Sequence, residues 1–133
     1  MGAREAVLRA ADALVDAFAH NDRQAYFAAF SEDATFVFHT LERPLLSRAS
    51  YQALWDRWRE HEGFEVLSCT SYNRHLSLQG EMAIFIHDVE TRLRLQGETI
   101  HSQERETIVF RQEQQGRWLA CHEHLSAPNL PSP

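Results

Sequence analysis

The chain has 133 residues, 44% of them hydrophobic and 24% charged, with a net charge of −6. That length predicts one domain over residues 1–133, able to bury a core without metals or disulfides. The acidic balance argues against a nucleic-acid partner, because phosphate backbones are repelled, and no apolar run reaches the roughly 20 residues of a membrane span, so no membrane partner is expected.

The N-terminal stretch has acidic residues and helical spacing, unlike a signal peptide. Val7, Ala10, Ala11, Leu14 and Phe18 form one apolar stripe of a first helix over Arg4–His20. His20-Asn21-Asp22 breaks it, and Asn21 or Asp22 can cap a short second helix holding Tyr26, Phe27 and Phe30. Thr35–His39 reads as a short strand of β-branched and aromatic residues. After a loop around Pro44, Ser47 caps a third helix over Arg48–Glu62, with Tyr51, Leu54, Trp55 and Trp58 on its apolar face and Gly63 placed to end it. Trp55 and Trp58 are either core or walls of a ligand pocket.

From Phe64 the hydrophobic period becomes two. Phe64–Leu78, Met82–Leu95 and the two halves of Glu98–Ser126, divided by a turn at Glu113–Gly116, read as four antiparallel strands in a meander. Ala127–Pro133 carries three prolines and is expected to be loose. Strands of about 14 residues would run about 45 Å if flat, too long for one small domain. The sheet must therefore bend, with bulges, around the helices. The expected fold is an α+β, cone-shaped roll: three N-terminal helices packed on a strongly curved, mainly antiparallel sheet.

The turns suggest a register. Two-residue loops at Gln79-Gly80 and Gln96-Gly97 set Leu78 opposite Glu81 and Leu95 opposite Glu98, and a four-residue loop sets Gln112 opposite Arg117. One face is then mostly apolar and includes Phe85, Ile108 and Leu125, which with Trp55 and Trp58 are the candidate ligand-contacting side chains. A polar row crosses it: Tyr72, His87, Glu106 and Glu123, with Glu104 one step away. Two carboxylates facing each other in apolar surroundings cannot both ionise cheaply, so one should hold its proton and serve as a general acid or base. Glu123 or Glu106 would be the base, His87 a shuttle and Tyr72 a hydrogen-bond donor to a substrate oxygen. The alternative is a structural Glu106–His87 pair at the rim with Glu123 solvated.

The opposite face is half apolar and half complementary charge, as a subunit interface would be. Asp88 opposes Arg105, Arg105 opposes His124, and Trp118 and His122 lie nearby, so these five are the candidate interface of a homodimer. His122-x-His124 could instead hold a metal, but no third ligand is evident, and neither a metal nor a cofactor is expected. No GxSxG, P-loop, GxGxxG or HExxH occurs. Cys69 and Cys121 stand outside any CxxC pattern and read as reduced core thiols, which makes the cytoplasm the default location.

The element order and the ending R-x-T-x-V-F…G-R-W-L-x-C-H-x-H-x-S-A-P resemble the nuclear transport factor two superfamily. Ser102-Gln103, Glu106-Thr107, Val109-Phe110, Gly116, Trp118, His122, His124 and Ser126-Ala127-Pro128 carry the likeness. Within the superfamily the chain is most similar to SnoaL-like domains and to the association domain of calcium/calmodulin-dependent kinase two. The resemblance implies a cone with a deep pocket, commonly paired through the outer face of the sheet. Kinase association domains place pocket arginines at positions matching Ile108 and Leu125, which are apolar here and argue against a similar anion site. SnoaL-like relatives include polyketide cyclases, and the wider superfamily includes isomerases, dehydratases and epoxide hydrolases. The implied function is binding of a small apolar molecule, with acid–base chemistry of the isomerase, cyclase or hydratase kind, or alternatively a non-catalytic dimerisation and ligand-binding role.

Overall fold

A computed structural model describes residues 2–127; the expected loose tail lies outside them except for Ala127. The elements run α1 (Ala3–Ala19), α2 (Arg23–Ala28), β1 (Phe30–Phe38), α3 (Arg48–Glu62), β2 (Glu65–Gln79), β3 (Met82–Leu95), β4 (Glu98–Gln112) and β5 (Trp118–Ser126). The strands form one strongly curved mixed sheet in the order β1-β5-β4-β3-β2, with β1 parallel to β5 and the other neighbours antiparallel. The helices cover its concave side.

Local chemistry sets the helices. The Asp22 side chain accepts the Ala25 N–H at 3.2 Å and opens α2. Ser47 accepts the Ser50 N–H at 3.1 Å and opens α3. Gly63 closes α3 in the left-handed region at φ 62°, where an L side chain would be strained. Asn21 ties the α1–α2 corner to the sheet: its amide donates to the Val66 carbonyl and accepts the Val66 N–H, each at 2.8 Å. Val7, Ala11, Leu14 and Ala17 bury one stripe of α1.

The core is aromatic. Tyr26, Phe27, Phe30, Phe36, Tyr51, Trp55 and Phe64 interlock, with ring centroids 4.6 Å apart for Phe36–Tyr51 and 5.0 Å for Trp55–Phe64. Pairs of this kind add about 0.5–1.5 kcal/mol each beyond the area they bury. β1 begins at Phe30, earlier than Thr35, because Phe30 pairs with Ala120 of β5 and is fully buried.

The bend comes from bulges. β2 shifts register between Val66 and Ser68 and again between Tyr72 and His75, where Asn73, at φ 53°, and Arg74 stand opposite His87 alone. β5 shifts between the Val109 and Phe110 pairs, leaving Cys121 as the extra residue. The β3–β4 hairpin keeps its expected register, Leu95 opposite Glu98, around Gln96 and Gly97, both at positive φ as a type I′ turn requires. The β2–β3 hairpin instead pairs Gln79 with Met82, so Leu78 faces Ala83 rather than Glu81. At the last hairpin Gln112 faces Trp118, not Arg117, one residue off the expected register.

That single residue inverts the start of β5. Trp118 and Ala120 turn into the core, where Trp118 is 7% exposed, so Trp118 is no outer-face interface residue. The bulge at Cys121 adds a second residue of offset, and an even offset restores the face expected for Glu123, His122 and His124. Arg105 consequently lies opposite Ser126, and His124 opposite Thr107, correcting the expected Arg105–His124 pair. No helix among the described residues is long and apolar enough to cross a membrane.

Candidate functional site

A cavity of about 390 Å³ opens between the helices and the concave face. This is within the roughly 300–1,000 Å³ of small-molecule sites. α1 contributes Leu14, Val15 and Phe18, α2 contributes Tyr26, and α3 contributes Tyr51 and Trp58. The sheet contributes Val89, Leu93, Ile100 and Leu125, and Phe38 to Leu41 border the site where β1 ends. The polar groups on its wall include Glu104, Glu106, Glu123, Ser102, Thr91, Cys69 and His39.

Strand alternation delivers the acidic groups. Glu104 and Glu106 occupy alternate positions of β4, and Glu123 enters from β5 opposite Ile108, one step diagonal to Glu106 rather than directly across from it. His87 lies opposite Glu106 on β3, as expected. His87 is fully buried, Glu106 is 7% exposed and Glu123 is 4% exposed. The carboxyl groups therefore sit among apolar side chains rather than in solvent.

These groups form a chain. Ser71 Oγ lies 2.6 Å from His87 Nδ1, and His87 Nε2 lies 2.7 Å from Glu106 Oε1. Glu106 and Glu123 are within hydrogen-bonding reach of each other. Burial, then the positive Arg74, pushes the imidazole down to about 4, so His87 is neutral at physiological pH. A neutral ring has one N–H. The Glu106 carboxylate can only accept, so that N–H is on Nε2, and Nδ1 accepts the Ser71 hydroxyl.

Burial also raises Glu106, an effect opposed by its hydrogen bond with Glu123. Glu123 is pushed well above the carboxylate range, first by burial and then by the charge of Glu106. The proton of the pair thus resides on Glu123, which donates to Glu106, while Glu106 also receives the His87 N–H. Glu123 Oε1 is buried, and no described residue donates to it.

Two tyrosines complete the polar end. Tyr26 Oη and Tyr51 Oη lie 3.0 Å apart. Burial, followed by the acidic Glu123–Glu106 pair nearby, raises both phenols well above 10.0, so both remain protonated donors. At the rim His39 Nε2 meets Glu104 Oε2 at 2.6 Å.

Of the residues expected to do chemistry, Glu123, Glu106 and His87 are brought together and Tyr72 is not. The bulge at Asn73-Arg74 sets Tyr72 opposite Asp88 on the outer face, where it is 38% exposed, and turns Ser71 toward His87 instead. Of the expected ligand contacts, Trp58 and Leu125 line the cavity. Trp55, Phe85 and Ile108 lie behind the wall, each 1% exposed or less, so they support the pocket as packed core and do not line it. The Phe85 ring is tilted against His87 with centroids 4.7 Å apart, the Arg74 guanidinium lies over the Phe85 ring 5.0 Å from its centroid, and Arg74 bonds Asp12 of α1 at 2.6 Å.

On the outer face Asp88 and Arg105 pair at 3.0 Å, and Asn73 donates to Asp88 at 2.9 Å. His122 shares a hydrogen bond of 2.7 Å with Thr35 on β1, and His124 is exposed. Among the described residues no group of three His, Cys, Asp or Glu side chains is arranged to hold a metal.

Tyr26, Tyr51 and Ser71 were not singled out for chemistry from the sequence. The two tyrosines did carry a signal: a hydroxyl on the apolar face of each of two helices needs a buried polar partner. Ser71 carried none, because its orientation depends on the bulge.

The SnoaL-like domain family matches residues 7–130. No curated protein matches the chain. Among solved structures, an NTF2-like protein from Cytophaga hutchinsonii superposes with a TM-score of 0.81 at 13% identity, over 96% of this chain and 100% of that one. A ketosteroid isomerase-like protein from Erwinia carotovora atroseptica gives 0.78 at 16% identity, over 95% and 96%. A calcium/calmodulin-dependent protein kinase II association domain-like protein from Xanthomonas campestris gives 0.74 at 18% identity, over 92% and 85%. Identities this low carry the fold and not the activity. The chain belongs to the SnoaL-like domain family, and its fold is that of the NTF2-like proteins.

Proposed function

We propose that the cavity binds a small, largely apolar molecule and moves a proton on it, in a reaction of the isomerase, cyclase or hydratase type that needs no cofactor. The observation that carries this reading is the buried Glu106–Glu123 pair on the cavity wall, with no described residue donating to Glu123 Oε1. The pair holds one proton. Glu123 is the acid that can give it to a substrate atom, and Glu106 is the carboxylate that can accept one. His87 orients Glu106 through its Nε2–H, and the paired Tyr26 and Tyr51 hydroxyls offer donors where negative charge develops on a substrate oxygen. The test is exchange of α-protons of compact lipophilic ketones in D2O, followed by NMR. Exchange above the buffer rate should fall by about 10²–10⁴-fold in Glu123→Gln and Glu106→Gln. Binding without exchange would leave a non-catalytic ligand-binding domain.

A homodimer through the outer face of the sheet is the second reading. There Ile84, Ile86 and Val109 are only part-buried, beside the Asp88–Arg105 pair. Sedimentation at micromolar concentration should give twice the monomer mass, and a monomer would end that reading. The free thiols of Cys69 and Cys121 accord with a reducing cytoplasm, the location we propose.

A further inference from the structure

The charge balance of the cavity says more about what it holds. The Glu106–Glu123 pair keeps one proton and therefore one negative charge, and both residues are more than nine-tenths buried. No arginine or lysine among the described residues lines the cavity. Arg74, whose charge acts on His87, lies over Phe85 and is engaged by Asp12. Glu104 adds a second carboxylate at the rim, met by His39. A buried carboxylate with no cation facing it is costly, and an ammonium group placed against it would offset that cost. The rest of the wall suits such a ligand, because Phe18, Tyr26, Tyr51 and Trp58 surround the site with aromatic rings, whose faces attract cations and whose bulk accepts an apolar body.

We propose that the natural ligand of the cavity is a lipophilic amine, its protonated nitrogen against the Glu106 carboxylate of the Glu106–Glu123 pair and its apolar body among the rings of α1, α2 and α3. This rests on the pocket reading above and names its ligand class. It sets the cavity against carboxylates and phosphates, which would meet two acidic groups and no fixed cation.

Three isosteric probes test it: 4-phenylbutylamine, 4-phenylbutan-1-ol and 4-phenylbutyrate, titrated calorimetrically into the intact protein at pH 7.5. The amine should bind at least tenfold more tightly than the alcohol, the carboxylate should bind weakest, and the alcohol should displace the amine. The preference should survive 0.5 M NaCl, because a buried pair is little screened. In Glu106→Gln, shown folded by circular dichroism, the amine-to-alcohol ratio should fall below threefold, whereas Glu123→Gln, which leaves the Glu106 charge in place, should keep the preference. Equal binding of amine and alcohol by the wild-type protein would overturn the proposal and leave the pocket reading standing. So would a preference lost in salt, or one retained by Glu106→Gln. If none of the three binds, the pocket reading fails with it.

Discussion

The two faces of strands β3, β4 and β5 are built from adjacent residues and treat charge in opposite ways. On the outer face, neighbouring charges have partners and water: Asp88 with Arg105 and Asn73, Glu90 with Gln103, His122 with Thr35. On the concave face, His87 and Glu106 occupy the positions next to Asp88 and Arg105, yet they are buried, and the carboxyl pair they serve faces a cavity with no cation on its wall. A solvated ion pair stabilises little and is easily replaced. A desolvated carboxyl pair costs stability, which marks the concave face as the candidate site. The comparison separates charge that serves the surface from charge that serves the site.

The largest effect should come from the position where the faces are most easily confused. Trp118→Ala should cost about 3–5 kcal/mol in urea unfolding, since the ring is core. His124→Ala, six residues on and exposed, should stay within about 0.5 kcal/mol. Equal small effects would restore an outward Trp118 and break the assigned register.

The two partnered histidines give the next contrast. His87→Ala removes a fully buried ring, its bond to Ser71 and its donation to Glu106, and should cost about 2–4 kcal/mol. His122→Ala loses one part-buried hydrogen bond to Thr35 and should cost about 1 kcal/mol.

The pH dependence of stability probes the desolvated charge directly. Folding raises the Glu123 carboxyl above its ordinary 4.5. Its stabilising share is therefore complete below about 4.5 and is lost as pH rises through the raised value. His87 runs the other way: folding lowers it from 6.5 to about 4, so its share is present above 6.5 and lost as pH falls through about 4. Glu123→Gln removes only the first dependence. The variant should be more stable than the wild type by about 1–3 kcal/mol at pH 8, and the two should converge as pH drops toward 4.5. Chemical denaturation across that range checks it, and parallel curves would mean that Glu123 is solvated.

The smallest effect belongs to the outer pair. A double-mutant cycle on Asp88→Ala and Arg105→Ala should return a coupling of about 0.2–1 kcal/mol, falling with added salt. A coupling above that range would erase the distinction between the faces.

What could be read directly from the residues was local. Ser47 and Gly63 bracket α3 at the expected bounds because caps depend on one side chain or one backbone angle. The Gln96-Gly97 turn needs only two residues at positive φ, and it alone sets Leu95 opposite Glu98, His87 opposite Glu106 and Asp88 opposite Arg105. The pairing of His87 with Glu106, half of the candidate site, was therefore legible without a structure.

The rest awaited tertiary structure because a bulge answers to the curvature of the whole sheet. Extra residues in β2 and β5 let long strands bend over three helices, and nothing in the alternation of apolar and polar residues marks where they fall. The β2 bulge turned Tyr72 outward and brought Ser71 to His87; the one-residue shift at the β4–β5 turn put Trp118 inward, and that shift together with the Cys121 bulge moved Glu123 one step diagonal to Glu106. The cavity, and the tyrosine hydroxyls that α2 and α3 bring to it, likewise depend on how helices distant in sequence seat on that curve. Composition, caps and one tight turn determined the elements and half of the polar chain. The face each remaining residue presents was decided only when the sheet closed, because one inserted residue reverses every side chain beyond it.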